Sequence, residues 1–266
     1  MLKTRFVTAT ILIAIVLGVL FYLPPAQFCI AMSVVGIWAA WEWTTLVAIQ
    51  GIVARLLFVV ALMLIFFKAL FVPISWILIT GTIWWVIATL AVIGYPEWGA
   101  DLRALWIVKW GAGALVLTPC WAALNYLRSQ TNGLPLILFL LILVWGADSA
   151  AYFVGQKWGR HKLAPAVSPK KSIEGALGAC LFAGCLAAVV LMLTHTPFSE
   201  SWRISLLTIV TVLFSIVGDL FESLLKREAN LKDINQWLPG HGGLLDRIDS
   251  LTAAAPLFAF GIWLLR

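Results

Sequence analysis

Charged residues are scarce in this chain of 266 residues, where Asp, Glu, Lys and Arg together make up only 11% of the sequence. A soluble domain carries about 25% charged and about 45–50% apolar residues. Here 62% of the residues are hydrophobic, and the mean hydropathy is +1.00. So few charges would not keep the folded chain dissolved, which excludes a soluble globular protein, and the same composition excludes a disordered chain. The sequence therefore predicts an integral membrane protein.

The sequence also lacks the motifs that mark several common kinds of site. None of its four cysteines forms a C-x-x-C pair or lies near a histidine, so neither a zinc site nor a disulfide framework is predicted. No G-x-x-x-x-G-K-[ST], G-x-G-x-x-G or H-E-x-x-H motif is present. A G-x-S-x-G nucleophile elbow is missing too, which argues against a hydrolase triad. Any reaction is therefore expected to depend on positioned polar groups and a metal ion rather than on a covalent nucleophile.

Long unbroken apolar runs predict membrane-spanning helices, because a helix needs about 20 apolar residues to cross a hydrocarbon core of about 30 Å. A barrel is not indicated, since its strands would alternate apolar and polar residues. Nine runs qualify, of which the last is short and contains Pro256: 6–23, 27–49, 54–72, 74–93, 104–124, 134–155, 173–194, 203–224 and 251–265. The predicted fold class is all-α, a polytopic membrane protein with about nine transmembrane helices.

Lysine and arginine are distributed unevenly between the two sides of these spans. With the N-terminus in the cytoplasm, thirteen of the eighteen basic residues fall on the cytoplasmic side, four fall on the other side, and Lys109 lies within a span. Because basic loops are retained inside, this excess predicts a cytoplasmic N-terminus. The same orientation puts both long hydrophilic segments, 156–172 and 225–250, in the cytoplasm.

The acidic residues lie mainly in the second half of the chain, where nine of the twelve follow residue 133. We therefore expect residues 1–133 to form a transmembrane scaffold of about five helices. Residues 134–266 are expected to form the catalytic transmembrane region, and the two parts make up one continuous membrane domain. Within the scaffold, Glu42 and Arg55 flank a cytoplasmic connection, and we interpret them as a structural ion pair.

Four polar residues near the end of the eighth run form the first candidate site. Glu222, Ser223 and Lys226 follow Asp219 at positions i+3, i+4 and i+7, so all four share one face of a helix. Hard divalent cations such as Mg²⁺ bind oxygen ligands, usually one or two carboxylates completed by substrate phosphates and water. The stripe therefore indicates a metal or phosphate site at the membrane surface.

A glycine-rich segment follows in the sequence and adds further polar groups. Gly240, Gly242 and Gly243 surround His241, and their backbone N–H groups can approach an anion closely. Asp246 and Asp249 are i,i+3 neighbours on the helix that comes next. Neither a histidine nor a glycine turn alone indicates a site, but the density of polar residues from 219 to 249 does.

The other hydrophilic segment, 156–172, carries five basic residues together with Ser168 and Ser172. Basic residues beside a membrane attract anionic head groups, at about 1 kcal/mol each. A loop that serves only to orient the protein explains the basic residues equally well, but the tight turn from Ser168 to Ser172 favours phosphate binding. Asp148 in the sixth run either belongs to the site or pairs with a neighbouring basic residue to orient helices.

These segments resemble phosphatidate cytidylyltransferases, also called CDP-diacylglycerol synthases. The similarity is carried by SLLKR from Ser223, by KD at 232–233 and by LPGHGGLLDRID ending at Asp249. It extends to WGAD at 145–148, KLAP at 162–165 and SPKKS at 168–172, and to the opening MLKTR and WEW at 41–43. One position departs from the family pattern, because Asn235 stands where members usually carry Gly, Ser or Ala.

The resemblance implies a reaction in which CTP and phosphatidic acid give CDP-diacylglycerol and pyrophosphate, for phospholipid biosynthesis. It further implies Mg²⁺ bound by Asp219 and Asp246, for some members a monovalent cation such as K⁺, and a homodimer. The expected location is the bacterial inner membrane, with the active site facing the cytoplasm. The lipid bilayer is an expected partner, whereas nucleic acid is not.

Roles for individual residues follow as hypotheses. Lys226, Arg227 and Arg247 would neutralise the triphosphate, and Ser168, Lys170 and Lys171 would hold a phosphate. His241 would orient a phosphate oxygen. The residues predicted to be catalytic are Asp219, Asp246, Lys226, Arg247 and His241. Those predicted to bind substrate are Ser168, Lys170, Lys171, Ser172, Ser223, Arg227, Lys232, Asp233, Gly242, Gly243, Asp249 and Asp148.

Two other functions remain open at this point. A CTP-dependent lipid kinase would transfer the γ-phosphate instead of the nucleotidyl group. A transporter of anionic solutes also has polar residues within its spans, but transporters often show paired broken helices in two related halves. Here the polar residues belong to one half and one side, which favours an enzyme.

Overall fold

The computed structural model describes residues 2–97, 106–195, 197–231, 234–235, 237 and 242–266. Within these ranges the chain forms nine long helices and one short hairpin. The helices are α1 Leu2–Tyr22, α2 Pro25–Leu46, α3 Ile52–Ala69, α4 Ile74–Ile93, α5 Trp106–Arg128, α6 Gly133–Trp158, α7 Ile173–Leu193, α8 Phe198–Glu228 and α9 Leu245–Leu264. The strands are β1 Lys162–Ala164 and β2 Ser168–Ser172.

Seven of these helices, α2 to α8, are long and apolar enough to cross a membrane, so the prediction of a polytopic all-α membrane protein is confirmed. In α1 the apolar part is a shorter helix, Val7–Tyr22. α9 carries Asp246, Arg247 and Asp249 in its first turns, which leaves a shorter apolar part behind them. The polar start of α9 is the feature that matters for the site.

The observed helix boundaries match the predicted apolar runs for some helices and differ for others. α4 covers residues 74–93 as predicted and is bounded by Pro73 and Gly94. α8 is longer than its predicted run, 203–224, and its 31 residues give a length of about 46 Å at 1.5 Å per residue. The length of an apolar run reflects the thickness of the hydrocarbon core. A helix, however, continues beyond that core as long as its backbone hydrogen bonds are formed. The polar last turns of α8 therefore extend the helix beyond the apolar core.

Small residues allow the helices to pack closely. A Cβ atom at Gly81 on α4 would lie 2.6 Å from the Cβ atom of Pro119 on α5 and 3.5 Å from that of Pro256 on α9. On α9 the alanines at 253, 254, 255 and 259 are completely buried. Helices in membranes associate through such small residues, because lipid provides no hydrophobic drive between them. α9 therefore lies at the centre of the bundle.

The hydrophilic segment 156–172 contains an antiparallel hairpin that the sequence did not predict. Lys162 pairs with Ser172 and Ala164 pairs with Ser168, with a register shift between the two pairs. The first strand has only three residues, so no alternating pattern could develop in the sequence. The hairpin connects α6 to α7 and carries Lys170 and Lys171 on its second strand.

Candidate active site

Two pairs of antiparallel helices bring the predicted site residues to one end of the bundle. On α6 and α7, a Cβ atom at Gly155 would lie 3.6 Å from the Cα atom of Gly175. On α8 and α9, a Cβ atom at Gly218 would lie only 2.5 Å from the carbonyl oxygen of Asp249. α8 and α9 thus approach backbone to backbone at this point, which places Asp219 beside the polar start of α9.

The first group of the site is built around Asp219. Its Oδ2 atom lies 2.7 Å from the ammonium nitrogen of Lys171 on β2, and the hydroxyl of Ser223 donates to its Oδ1 atom at 3.3 Å. The spacing of Asp219 and Ser223 in the sequence predicted their shared helix face. The contact with Lys171 joins the hairpin to α8 and was not predictable from spacing.

The second group is built around Lys226. Its ammonium nitrogen lies 2.5 Å from Oε1 of Glu222 and also forms an ion pair with Oδ1 of Asp246 on α9. The other oxygen of Asp246 accepts hydrogen bonds from the backbone N–H groups of Gly243, at 2.7 Å, and Ile234, at 3.4 Å. Lys226, Glu222 and Asp246 have side-chain exposures of 16%, 8% and 6%, so this group is nearly enclosed.

Asp249 and Asp148 connect the two groups electrostatically. Asp249 interacts with Asp219 and with Glu222, and it lines the same small cavity as Glu222. Asp148 on α6 interacts with Lys171 and with the side chain of Ser250. These partners belong to the site, so Asp148 lies beside it. Asp148 also interacts with a basic residue, Lys171, as the alternative interpretation expected.

Carboxylates outnumber the lysines that contact them in this cluster. Three acidic side chains form ion pairs with the lysines at 171 and 226, namely Asp219, Glu222 and Asp246, and two more, Asp148 and Asp249, interact electrostatically with Lys171. An excess of oxygen donors with negative charge fits a hard divalent cation. Across the described ranges no group of three or more His, Cys, Asp and Glu side chains is arranged to hold a metal ion by itself. A metal ion at this site would therefore be completed by phosphate oxygens and water.

The surroundings of Asp246 keep its carboxylate ionised. Burial alone would raise the pKa of Asp246, but hydrogen bonds from Lys226 and from the backbone of Gly243 outweigh burial and lower the pKa below its usual value. A carboxylate that is ionised at neutral pH is able to bind a cation. This state is needed for the role that the resemblance implies for Asp246.

The hairpin residues divide into structural and accessible side chains. Ser172 is buried, and its hydroxyl accepts a hydrogen bond from the N–H group of Gly175, so it caps the start of α7. Arg227 donates through Nε to the carbonyl oxygen of Val167 and ties α8 to the hairpin. Lys170 is exposed and Ser168 is half-buried. The structure therefore gives Ser172 a capping role, whereas Ser168 and Lys170 are accessible to an anion.

The remaining predicted residues lie around the start of α9. Gly242 has φ +81°, a conformation that favours glycine, and Arg247 is exposed in the first turn of the helix. Lys232, Asp233 and His241 lie outside the described residues. Asn235, the position that departs from the family pattern, is half-buried.

The predicted ion pair between Glu42 and Arg55 is wrong. The carboxylate of Glu42 accepts hydrogen bonds from the backbone N–H groups of Leu244 and Leu245 at 3.0 and 2.8 Å. Arg55 donates to the carbonyl oxygen of Ile49 and lies over the ring of Trp41. The pair was suggested by proximity in sequence. In the structure, backbone N–H groups 202 and 203 residues away donate hydrogen bonds to the carboxylate of Glu42 instead. A charge within a predicted span was the signal that could have marked Glu42 as important.

Comparisons with the sequences of known proteins identify the family of this chain. The sequence model of the cytidylyltransferase family matches residues 3–265. The chain belongs to this family. It is 39% identical to a phosphatidate cytidylyltransferase of Pseudomonas aeruginosa over 99% of this chain and 97% of that protein. A phosphatidate cytidylyltransferase of Haemophilus influenzae is 37% identical, with 98% of both chains covered. One of Brucella suis is 34% identical, covering 98% of this chain and 93% of that protein. The family similarity thus extends over nearly the whole length of the chain.

Proposed function

We propose that this protein transfers CMP from CTP to phosphatidic acid and thereby forms CDP-diacylglycerol and pyrophosphate. The observation that carries the proposal is the cluster of Asp219, Lys171, Lys226 and Asp246 at one end of a membrane bundle. Full-length similarity to proteins named for this activity supports the choice of substrates. The product would supply phospholipid biosynthesis.

The reaction is a direct displacement at phosphorus. A phosphate oxygen of phosphatidic acid attacks the α-phosphorus of CTP, the bond from the α-phosphorus to the bridging oxygen breaks, and pyrophosphate leaves. The lipid phosphate is already ionised at neutral pH, so no general base is needed at the nucleophile. Positioning and charge neutralisation therefore supply most of the rate enhancement.

Each group of the site has a role in this proposal. Lys171, with Lys170 and Ser168 on the same strand, would hold a phosphate. Asp219 and Asp246 would hold Mg²⁺, which supplies charge neutralisation for the triphosphate and the leaving pyrophosphate when bound. Lys226 is held between two carboxylates and would fix the orientation of Asp246. The exposed side chains of Arg227 and Arg247 would approach the triphosphate.

The orientation in the membrane is part of the same proposal. A site in the cytoplasm admits CTP, and its position at the end of the spans admits a lipid head group. The excess of Lys and Arg on that side of the spans supports this orientation. The bacterial relatives support a location in the inner membrane. A monovalent cation such as K⁺ and a homodimer remain predictions of the resemblance.

Two labelled forms of CTP would test the reaction. Purified protein in detergent should transfer label from α-labelled CTP into the lipid phase when phosphatidic acid and Mg²⁺ are present. Label from γ-labelled CTP should appear as pyrophosphate in the aqueous phase, and chelation of Mg²⁺ with EDTA should stop both. A γ-label in the lipid would overturn the proposal in favour of a lipid kinase. A lipid phase without the α-label would overturn it too.

Two neighbouring lysines are expected to contribute unequally. Lys171→Gln should lower kcat/KM by about 10- to 100-fold, because it removes a charged hydrogen bond to Asp219 and a phosphate ligand. Lys170→Gln should lower it only about threefold, since the side chain is exposed and an exposed charge contributes little. Steady-state rates over a range of phosphatidic acid concentrations would check both values.

A basic residue at the end of α6 provides the control for these variants. Lys157 is exposed and lies over the ring of Trp158. Lys157→Gln removes one charge from the same side of the membrane and should leave the rates unchanged. Unchanged rates in the variants of Lys170 and Lys171, as in the Lys157 variant, would show that these basic residues serve only membrane orientation.

A further inference from the structure

A fully buried carboxylate lies behind the first turn of α9. Glu42, near the C-terminal end of α2, has 0% exposure. Its Oε1 atom accepts hydrogen bonds from the N–H group of Leu244 at 3.0 Å and from the indole N–H of Trp38 at 3.1 Å. Its Oε2 atom accepts from the N–H group of Leu245 at 2.8 Å. Within the described part of the chain, every group that donates to Glu42 is therefore an N–H group.

α9 depends on this carboxylate for its cap. The first N–H groups of a helix have no partners within the helix, and they carry partial positive charge. Leu244 is the N-cap residue of α9, and its side chain makes no capping hydrogen bond. A carboxylate at this position satisfies the N–H groups and complements their charge. Glu42 thus caps α9 from another helix.

The same stretch of backbone orients Asp246. The N–H group of Gly243 donates to Oδ2 of Asp246 at 2.7 Å, and the next two N–H groups donate to Glu42. Three successive N–H groups therefore bind two carboxylates. Movement of this segment away from Glu42 would also displace the donor that holds Asp246.

Glycine at position 243 is required for this arrangement. A Cβ atom there would lie 2.7 Å from Oε2 of Glu42 and 3.0 Å from its Cδ atom. A larger residue would push the carboxylate back from the start of α9.

We propose that Glu42 is a positioning residue for the transfer reaction, a role that rests on the proposed function. It fixes segment 243–245 so that Asp246 keeps the orientation needed to bind a cation. Glu42 does not touch the substrates. The scaffold half of the chain thereby determines the geometry of the catalytic half.

Replacement of Glu42 by Gln tests this role with two separate measurements. Hydrogen exchange followed by mass spectrometry should show about 10- to 100-fold faster exchange in peptides that cover residues 243–246, and unchanged exchange in α5 and α7. The kcat for CMP transfer should fall, and the Mg²⁺ concentration for half-maximal activity should rise. KM for phosphatidic acid should stay the same, because the residues proposed to hold a phosphate lie on the hairpin and not on segment 243–245.

Thr44 provides a matched control on the same helix. It is also completely buried, and its hydroxyl donates to the carbonyl oxygen of Trp41 within α2. Thr44→Val should change neither measurement. If Glu42→Gln is not recovered as folded protein, Glu42→Asp keeps the charge but shortens the side chain, and the same two changes are expected.

Three outcomes would overturn the proposal. They are unchanged exchange at residues 243–246, faster exchange throughout the protein, and equal effects of the Thr44 variant. Failure of the proposed function is distinguishable, because wild-type protein would then form no labelled lipid. The exchange measurement would still report whether Glu42 holds the start of α9.

Discussion

Asp219→Asn and Asp246→Asn should each reduce the rate of CMP transfer by about 10³-fold, while the protein remains inserted in the membrane. Asparagine has the size of aspartate, so the packing of α8 and α9 is kept, but the negative charge that would bind Mg²⁺ is lost. A metal ion that stabilises several kcal/mol of developing charge corresponds to a loss of this size. The initial rate of lipid labelling from α-labelled CTP, normalised to folded protein, measures the effect.

The two variants should differ in their influence on stability. Lys226 is nearly enclosed and forms ion pairs with Glu222 and Asp246. Asp246→Asn removes the second of these pairs and leaves the first. Asp219→Asn affects an ion pair in which both side chains are more exposed, at 31% for Asp219 and 24% for Lys171. Since exposed pairs contribute less, the melting temperature should fall more in the variant of Asp246.

Glu200 supplies the control for both variants. It lies in the first turn of α8, at the other end of the helix from the site, and it is exposed. Glu200→Gln makes the same chemical change from carboxylate to amide and should keep the wild-type rate. Near-normal activity in the variants of Asp219 and Asp246 would reject both residues as metal ligands.

Gly218→Ala should lower the rate by about 10²-fold. A Cβ atom at this position would lie 2.5 Å from the carbonyl oxygen of Asp249 and 3.1 Å from the Cβ atom of Ala253. Because the nearest atom is backbone, the two helices must separate to admit a methyl group. Displacement of catalytic groups by about 1 Å is enough for a loss of this size. Asp219 and Asp249 would move apart, and the charge cluster would open.

A control variant separates the steric effect of Gly218→Ala on the rate from the effect of alanine on helix stability. Alanine favours a helix over glycine by about 0.5–1 kcal/mol, so helix propensity alone would stabilise the variant. Gly184 on α7 has no atom within 4 Å of the position of an added Cβ atom. Gly184→Ala should therefore keep the rate and slightly raise the melting temperature. Full activity of Gly218→Ala would show that the close approach of α8 and α9 is not needed.

The sequence predicted those parts of the fold that depend on local patterns. Apolar runs located the spanning helices, and helical spacing placed Asp219, Glu222, Ser223 and Lys226 on one face of α8. The contacts of Ser223 with Asp219 and of Lys226 with Glu222 confirm that face. The ion pair between Lys226 and Asp246 shows that the polar start of α9 lies against the same end of α8.

Contacts between distant segments were beyond the reach of sequence patterns. Lys171 lies 48 positions from Asp219, and no periodicity relates a strand of a hairpin to a helix end. The same holds for Glu42, whose backbone partners lie 202 and 203 positions away. Lys226 illustrates a subtler difference, since its basic charge suggested a ligand for the triphosphate. In the folded chain its ammonium group already forms ion pairs with the carboxylates of Glu222 and Asp246.

The contact between Glu42 and the start of α9 has a consequence for the order of assembly during synthesis. Glu42 leaves the ribosome 202 residues before its first backbone partner. Until then the donors available to its carboxylate are the indole N–H of Trp38 on the same helix and water at the membrane surface, so the early helices cannot bury the charge fully. A prematurely terminated chain would keep this carboxylate without its backbone partners, and insertion of α9 completes this end of the bundle.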